Sequence, residues 1–414
     1  MAQKIAKNLT WLTSGNFLVK PIWFVFITYV LIRFIGLREY GLMTATLALM
    51  GIVDGVLALG TSTYSIREVA RDPDKSTLFF SNFLPYRFSA SVLAIAIGLA
   101  IELFLGNQAI LITALFAGTY VLFMNVTEYC RTLFRSHERF KHEAISTVAE
   151  KLLVVTGGSL ALFYDRTAAG VLLGMTIGIF LTFLLNFRWV IKDFARMSVS
   201  LIDRSFFKKA MPQAIPLGLA SVFVLLYFRT DSVMIEAMKG ELPTGQYAVA
   251  FRTTEALLIV PAMVTAILLP RLSHLFVSGF GRFKTLSRKG IIGLFGTSFL
   301  LSLLVFAFAP LIVKSMDPTV DAEPAIALLR ILVWAVPVAS VNSLMSTIMT
   351  ASDLQKKLAW VLGFAAFLNI GLNFILIPSL SATGASYATI ATELFVAASF
   401  ITLIPRKGHP ESVS

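Results

Sequence analysis

The segment YFRTDSVMI, residues 227–235, sets Arg229 and Asp231 two residues apart inside a run of apolar side chains. An ionised side chain at the centre of a membrane-spanning helix costs about 2.5–3.5 kcal/mol even on the lenient insertion scale, so each such charge needs a partner or a task. Residues i and i+2 point about 200° apart on a helix and do not face each other. A hairpin turn centred near Leu242 brings Asp231 to the depth of Arg252, and Arg229 to that of Glu255. Arg252 and Glu255 also share one helix face at i,i+3. Two chemistries fit these four residues: ion pairs that lock two helices together, or gates that line a water-filled cavity and exchange partners during transport.

Other charges raise the same question. Lys20 stands beside Pro21 in the middle of the first apolar run, and Asp54, near the middle of the second, is its natural partner. Glu150 and Lys151 are adjacent on one helix and point about 100° apart, which turns at least one of them inward. Glu128 has Arg131 one turn away, Arg330 lies one to two turns inside its run, and Glu393 is a mid-run candidate for a proton or cation site. Acids and bases in these runs roughly balance, so the sequence by itself does not define a strongly cationic lumen.

Hydrophobic residues make up 57% of the 414 and charged ones only 14%, against about 45–50% apolar in soluble domains. The chain is therefore read as an all-α polytopic membrane protein. Apolar stretches of membrane-spanning length give twelve transmembrane helices, at approximately 9–35, 41–66, 82–105, 108–134, 144–164, 168–191, 215–238, 245–268, 290–313, 324–349, 358–377 and 382–404. Lys and Arg provide an independent check. They crowd alternate connections, among them Arg67 to Lys75, Arg131 to Lys141, Arg188 to Lys209 and Arg271 to Lys289, while Asp317, Asp321 and Glu323 cluster on the opposite side. The positive-inside rule then puts both termini in the cytoplasm of a multi-pass protein of the cell's inner (plasma) membrane. The N-terminal residues lack a cleavable signal pattern. A single cysteine, Cys130, excludes an internal disulfide, and four histidines leave no Cys/His metal cluster. The net charge of +12 reflects orientation and contact with anionic headgroups of membrane lipids rather than nucleic acid.

Two stretches echo each other: GLREYGLMTATLALM from Gly36 and GELPTGQYAVAFRTT from Gly240 each place Gly-x4-Gly at an outer turn, and the same offset aligns Arg67 with Arg271. The echo implies two pseudo-symmetric six-helix lobes, residues 1–191 and 210–414, joined by a cytoplasmic linker at 192–209. Pro212, Pro216, Pro261 and Pro337 supply bends in the second lobe.

The sequence lacks a G-x4-G-K-[ST] phosphate loop, and its short loops carry neither a catalytic domain nor a credible triad, which argues against an enzyme and implies no cofactor. PLGLASVFVLLYFRTDSVMI followed by GELPTGQYAVAFR, together with GLREYGLMTATLALMGIVDG and REVAR, resembles the Wzx-type flippases, the polysaccharide-biosynthesis branch of the multidrug/oligosaccharidyl-lipid/polysaccharide (MOP) exporter superfamily. The resemblance implies a central V-shaped cavity between the lobes. It also implies alternating-access transfer of a polyprenyl-(pyro)phosphate-linked oligosaccharide to the outer leaflet, H+ or Na+ coupling, and work beside glycan polymerase and ligase machinery. On that picture Lys20, Arg252 and Arg330 are the cargo-facing cations, Arg229, Asp231 and Glu255 the gating partners, and Asp54 and Glu393 the coupling-ion sites. The candidate ion pairs depart from it, because they would neutralise much of the second lobe's positive charge.

Three other readings compete. A MATE-like cation or drug exporter of the same superfamily wants an acidic cavity. A flippase for lipid-linked peptidoglycan precursor typically has two more helices. A non-transporting scaffold for glycan assembly enzymes would depend on basic cytoplasmic loops instead of intramembrane charges.

Overall fold

The computed structural model describes residue 19 and residues 21–105, 110–316 and 322–404. Among these every regular element is helical, as expected where hydrocarbon leaves backbone groups no partner outside the chain. Helix begins by Pro21 and passes through a π-helical turn at Phe26–Val30. There follow α1 (Leu31–Ala58), α2 (Thr61–Arg71), α3 (Ser76–Phe104), α4 (Leu111–Ser136), α5 (Phe140–Ala161), α6 (Ala168–Asp193) and α7 (Arg204–Lys239). The remainder are α8 (Glu241–Leu257), α9 (Ile259–Ser278), α10 (Phe280–Met316), α11 (Glu323–Leu332), α12 (Ala335–Ala351), α13 (Gln355–Leu380) and α14 (Ala382–Leu403).

Among the described residues ten helices are long and apolar enough to cross a membrane, or eleven if Arg204–Leu219 and Ser221–Lys239, bent by 50°, form one span. The sequence reading gives twelve. Its first two spans run together in Pro21–Ala58, divided at Gly36, where φ is 78° and ψ 168°. Gly240, at the equivalent position of the sequence echo, has φ 83° and ψ −175°. This is a region of backbone space that essentially only glycine occupies, so the two glycines make the same turn.

The chain divides into two compact units, Met1–Leu225 and Leu226–Ser414, and the boundary falls inside α7. In the first unit, α5 and α6 meet along glycines. A Cβ at Gly157 would lie 2.2 Å from the Gly174 carbonyl oxygen, and one at Gly178 would lie 2.4 Å from that of Leu153. A second core is aromatic: Phe79, Phe80, Phe83, Tyr129 and Phe134 are buried, with Phe206 and Phe207 packed on them. The segment between α6 and α7 is stitched to α3. Asn82 Nδ2 donates to the Leu201 carbonyl at 2.9 Å, Asn82 Oδ1 accepts the Asp203 N–H at 3.0 Å, and Ser81 Oγ accepts the Ser198 N–H at 2.9 Å.

In the second unit two runs are broken near their middle, at Leu258 between α8 and α9 and at Val333–Trp334 between α11 and α12. Proline lacks an N–H, so Pro337 cannot bond the Val333 carbonyl four residues back. The Ser302 hydroxyl and the Val336 N–H donate to that oxygen instead, at 3.0 and 3.2 Å, which is how a proline break is tolerated inside a membrane protein.

The α5–α6 seam generates a test. Gly174→Leu, which has to push into the Gly157 backbone, is expected to destabilise by about 1–3 kcal/mol or more. Gly293→Leu, where nothing lies within 4 Å of the added Cβ, is expected to leave the melting temperature of the solubilised protein unchanged. Thermal unfolding in one detergent compares the two.

Candidate functional site

In the first unit Asp54, on α1 and 7% exposed, accepts hydrogen bonds from Ser91 Oγ on α3 and from Asn125 Nδ2 on α4, the latter at 3.0 Å. Its expected partner, Lys20, lies outside the described residues. Behind Asn125 stands a cation that the sequence reading overlooked. The buried Arg87 donates to Asn125 Oδ1 at 2.6 Å, to Thr61 Oγ1 at 2.9 Å and to Ser62 Oγ at 2.8 Å, and its guanidinium lies 5.1 Å from the Tyr129 ring centroid. The amide of Asn125 thus joins an acid and a base that never touch. Arg87 sits inside the third apolar run, so the rule applied to Arg229 applies to it equally.

In the second unit the cross-helix pairs expected from hairpin depth are not the contacts Asp231 and Glu255 make. The turn is at Gly240, not Leu242, so Asp231 faces Tyr247 and leaves Arg252 more than a turn deeper. The Tyr247 hydroxyl donates to Asp231 Oδ2 at 2.6 Å, Thr389 Oγ1 to the same oxygen at 2.9 Å, and Asn373 Nδ2 to Oδ1 at 2.5 Å. Asn373 Nδ2 also reaches Asn369 Oδ1 at 3.0 Å. Arg252 Nη1 instead pairs with Glu255 Oε2 at 2.6 Å along its own helix, where i,i+3 spacing makes the contact without a second element.

Glu393 on α14 repeats the pattern seen at Asp231. It accepts from the Tyr227 hydroxyl at 2.7 Å and from Asn342 Nδ2 at 2.6 Å, and is 7% exposed. Tyr227 and Asp231 are one turn apart on α7, as are Thr389 and Glu393 on α14. All four line one cleft of ≈ 460 Å³ of empty space, its open mouth included. The wall also includes Glu255, Leu258, Leu332 and Ala335, so the cleft sits where α8–α9 and α11–α12 are interrupted. Among the described residues three carboxylates line it and no Lys or Arg does.

Arg229 is half-buried on α7 and does not line this cleft. Arg330 is exposed, its guanidinium 5.4 Å from the Phe306 ring centroid, and it too is absent from the cleft wall. The hydroxyl and amide partners Tyr247, Asn373, Thr389, Tyr227 and Asn342 went unread, because only fully charged residues were weighed. Their signal was polar side chains recurring in runs otherwise apolar.

Ten or eleven described helices long and apolar enough to cross a membrane, with carboxylates buried among neutral donors, define the class as a polytopic membrane protein. Comparison with solved structures places the fold. An inward-facing MATE-family multidrug resistance transporter of the MOP superfamily aligns with a TM-score of 0.75 at 12% identity, covering 95% of this chain and 93% of the other. The lipid II flippase MurJ in an inward closed conformation aligns at 0.76 and 13%, covering 95% and 87%. A MOP superfamily transporter from Pyrococcus furiosus, described as having a binding pocket of reverse polarity, aligns at 0.66 and 13%, covering 96% and 93%. Over 185 residues the chain is 28% identical to an uncharacterized membrane protein of Methanocaldococcus jannaschii, a match spanning 44% of this chain and 42% of that one. The MatE family model matches residues 216–375. The model of the polysaccharide biosynthesis protein family matches residues 5–276, and the chain belongs to that family.

The Asp231 cluster carries its own test. Tyr247→Phe removes one donor from a buried carboxylate and is expected to cost about 1.5–3 kcal/mol, read as a lowered melting temperature. Tyr387→Phe, exposed on the same α14 that carries Thr389, is expected to leave it unchanged.

Proposed function

We propose that this protein transfers a polyprenyl-(pyro)phosphate-linked oligosaccharide from the cytoplasmic to the outer leaflet of the inner (plasma) membrane, by alternating access of its lobes, for a cell-surface polysaccharide such as O-antigen. Membership of the polysaccharide biosynthesis family over residues 5–276 carries this reading. The chemistry is consistent with it. A sugar and an anionic phosphate do not cross hydrocarbon unaided, whereas the polyprenyl tail never has to leave it. Twelve spans with both termini cytoplasmic follow if the Gly36 break is the outer turn between the first two spans and the basic loops face inward. Glycan polymerase and ligase machinery would receive the product on the outer side.

The acidic cleft supplies a place for coupling. An ionised Asp231 or Glu393 surrounded by hydroxyls and amides requires a counter-charge. A proton on the carboxylate provides it, and so does a sodium ion among the carboxylate, hydroxyl and amide oxygens. Binding in one state and release in the other would tie the swing of the lobes to an ion gradient. Asp54 is the corresponding candidate in the first unit. Lys20, Arg252 and Arg330 remain proposed cargo cations, with Arg252 available once Glu255 releases it, and Arg229, Asp231 and Glu255 the proposed gating set.

Lipid extracts of cells lacking the protein test the reading by mass spectrometry. Complete polyprenyl-linked repeat units are expected to accumulate and to clear with the wild type. With Asp231→Asn or Glu393→Gln clearance is expected to slow about tenfold or more, so that most of the excess persists, and Lys20→Ala, Arg252→Ala and Arg330→Ala rank the cations. Accumulation of incomplete units, or of none, would sink the flippase. The three carboxylates on the cleft wall, with no Lys or Arg beside them among the described residues, favour a second reading, a cation exporter. On that reading Asp231→Asn abolishes efflux of a cationic dye while lipid-linked sugars stay at wild-type levels.

A further inference from the structure

Lys151 is a quarter exposed yet lies eleven residues past Phe140 and ten before Ala161, in the middle of α5. At about 1.5 Å per residue its Cα is roughly 15 Å or more from either end of that helix. An ammonium at this depth is too costly to face lipid, so its open side meets water or an anion. Its surroundings are specific. Lys151 Nζ bonds Glu150 Oε1 at 2.7 Å and lies 4.3 Å from the centroid of the Trp23 ring.

The other oxygen of Glu150 is held by Arg131 Nη2 at 2.5 Å. Arg131 is anchored in turn to Ser146, Nε to Oγ at 2.8 Å and Nη2 to the backbone carbonyl at 3.2 Å. Asn186 Nδ2 fixes the same hydroxyl at 2.7 Å. Glu128, 3.5 Å from Arg131, is taken more closely by Arg135 at 2.6 Å. One buried carboxylate therefore serves two cations, and the outer of the two is oriented onto an aromatic face.

The geometry points to Lys151 and Trp23 as a docking subsite for the phosphate and first sugar of the cargo, with Glu150 holding the ammonium until an anion arrives. The inference rests on the flippase reading and gives it a second address, distinct from the acidic cleft of the other unit. An ammonium is a point-charge partner for phosphate oxygen and competes for it without the planar geometry that Arg requires. As Lys151 turns to the phosphate it uncovers the indole, whose flat apolar face suits the C–H face of a pyranose. Glu150 keeps Arg131 as its partner, so the exchange leaves no buried charge alone.

Binding to the full-length protein in phosphatidylcholine nanodiscs tests this, with undecaprenyl pyrophosphate, undecaprenyl-pyrophosphoryl-N-acetylglucosamine and inorganic pyrophosphate as probes. Lys151→Gln is expected to weaken both lipids about tenfold, and Lys151→Arg to stay within about threefold of wild type. Trp23→Leu is expected to abolish the extra affinity conferred by the sugar while leaving undecaprenyl pyrophosphate unchanged. Glu150→Gln is expected to tighten both lipids, which a purely structural role would not produce. A folded Lys151→Gln protein that binds both lipids like the wild type overturns the subsite and leaves the flippase standing. Wild-type protein that binds neither lipid overturns both. Inorganic pyrophosphate binding as tightly as the lipids overturns the assignment to lipid-linked cargo.

Discussion

A carboxylate buried at membrane depth has to be met by donors from the helices around it, and Asp231 shows how much that demand organises. Tyr247 on α8, Asn373 on α13 and Thr389 on α14 all converge on it. Each supplies a neutral hydrogen bond instead of a positive charge. Three helices are thereby fixed in register against α7, since a slip of one residue turns any of the donors by about 100° away from the acid. Glu393 sets the same demand one turn along α14 and draws in Tyr227 and Asn342. Among the described residues the second unit is organised around two acids met by neutral donors.

The first unit answers the same constraint differently. Asp54 has an arginine within reach of its hydrogen-bond network, but Asn125 stands between them. Elsewhere Arg131, Glu150 and Lys151 touch directly. The first unit thus brings cations into its buried networks, whereas the carboxylates Asp231 and Glu393 of the second are met by neutral donors.

The long helices were legible because hydrocarbon imposes a simple code: apolar runs of fixed length, punctuated by glycine and basic residues. Gly36 and Gly240 could be matched from spacing alone, and their shared positive φ follows from the same turn. The pairing of charges was less legible. It depended on the hairpin centre, and a shift from Leu242 to Gly240 was enough to bring Tyr247 to Asp231 in place of Arg252. Arg87 was missed although it obeys the rule that drew attention to Arg229. The amide and hydroxyl donors are harder still, since Asn, Thr and Tyr occur in membrane helices for many reasons, and only three-dimensional convergence shows which ones meet an acid.

The glycine seam between α5 and α6 also governs how the molecule meets a changing bilayer. With backbone against backbone at Gly157 and Gly174, no flexible side-chain layer lies between the two helices to be squeezed or stretched. If the membrane thins or thickens, these helices must share one change of tilt. The helices of the second unit that are interrupted at Leu258 and at Val333–Trp334 offer joints where the mismatch is absorbed. Lipid composition would then bear on the two units unequally, and on the acidic cleft most directly.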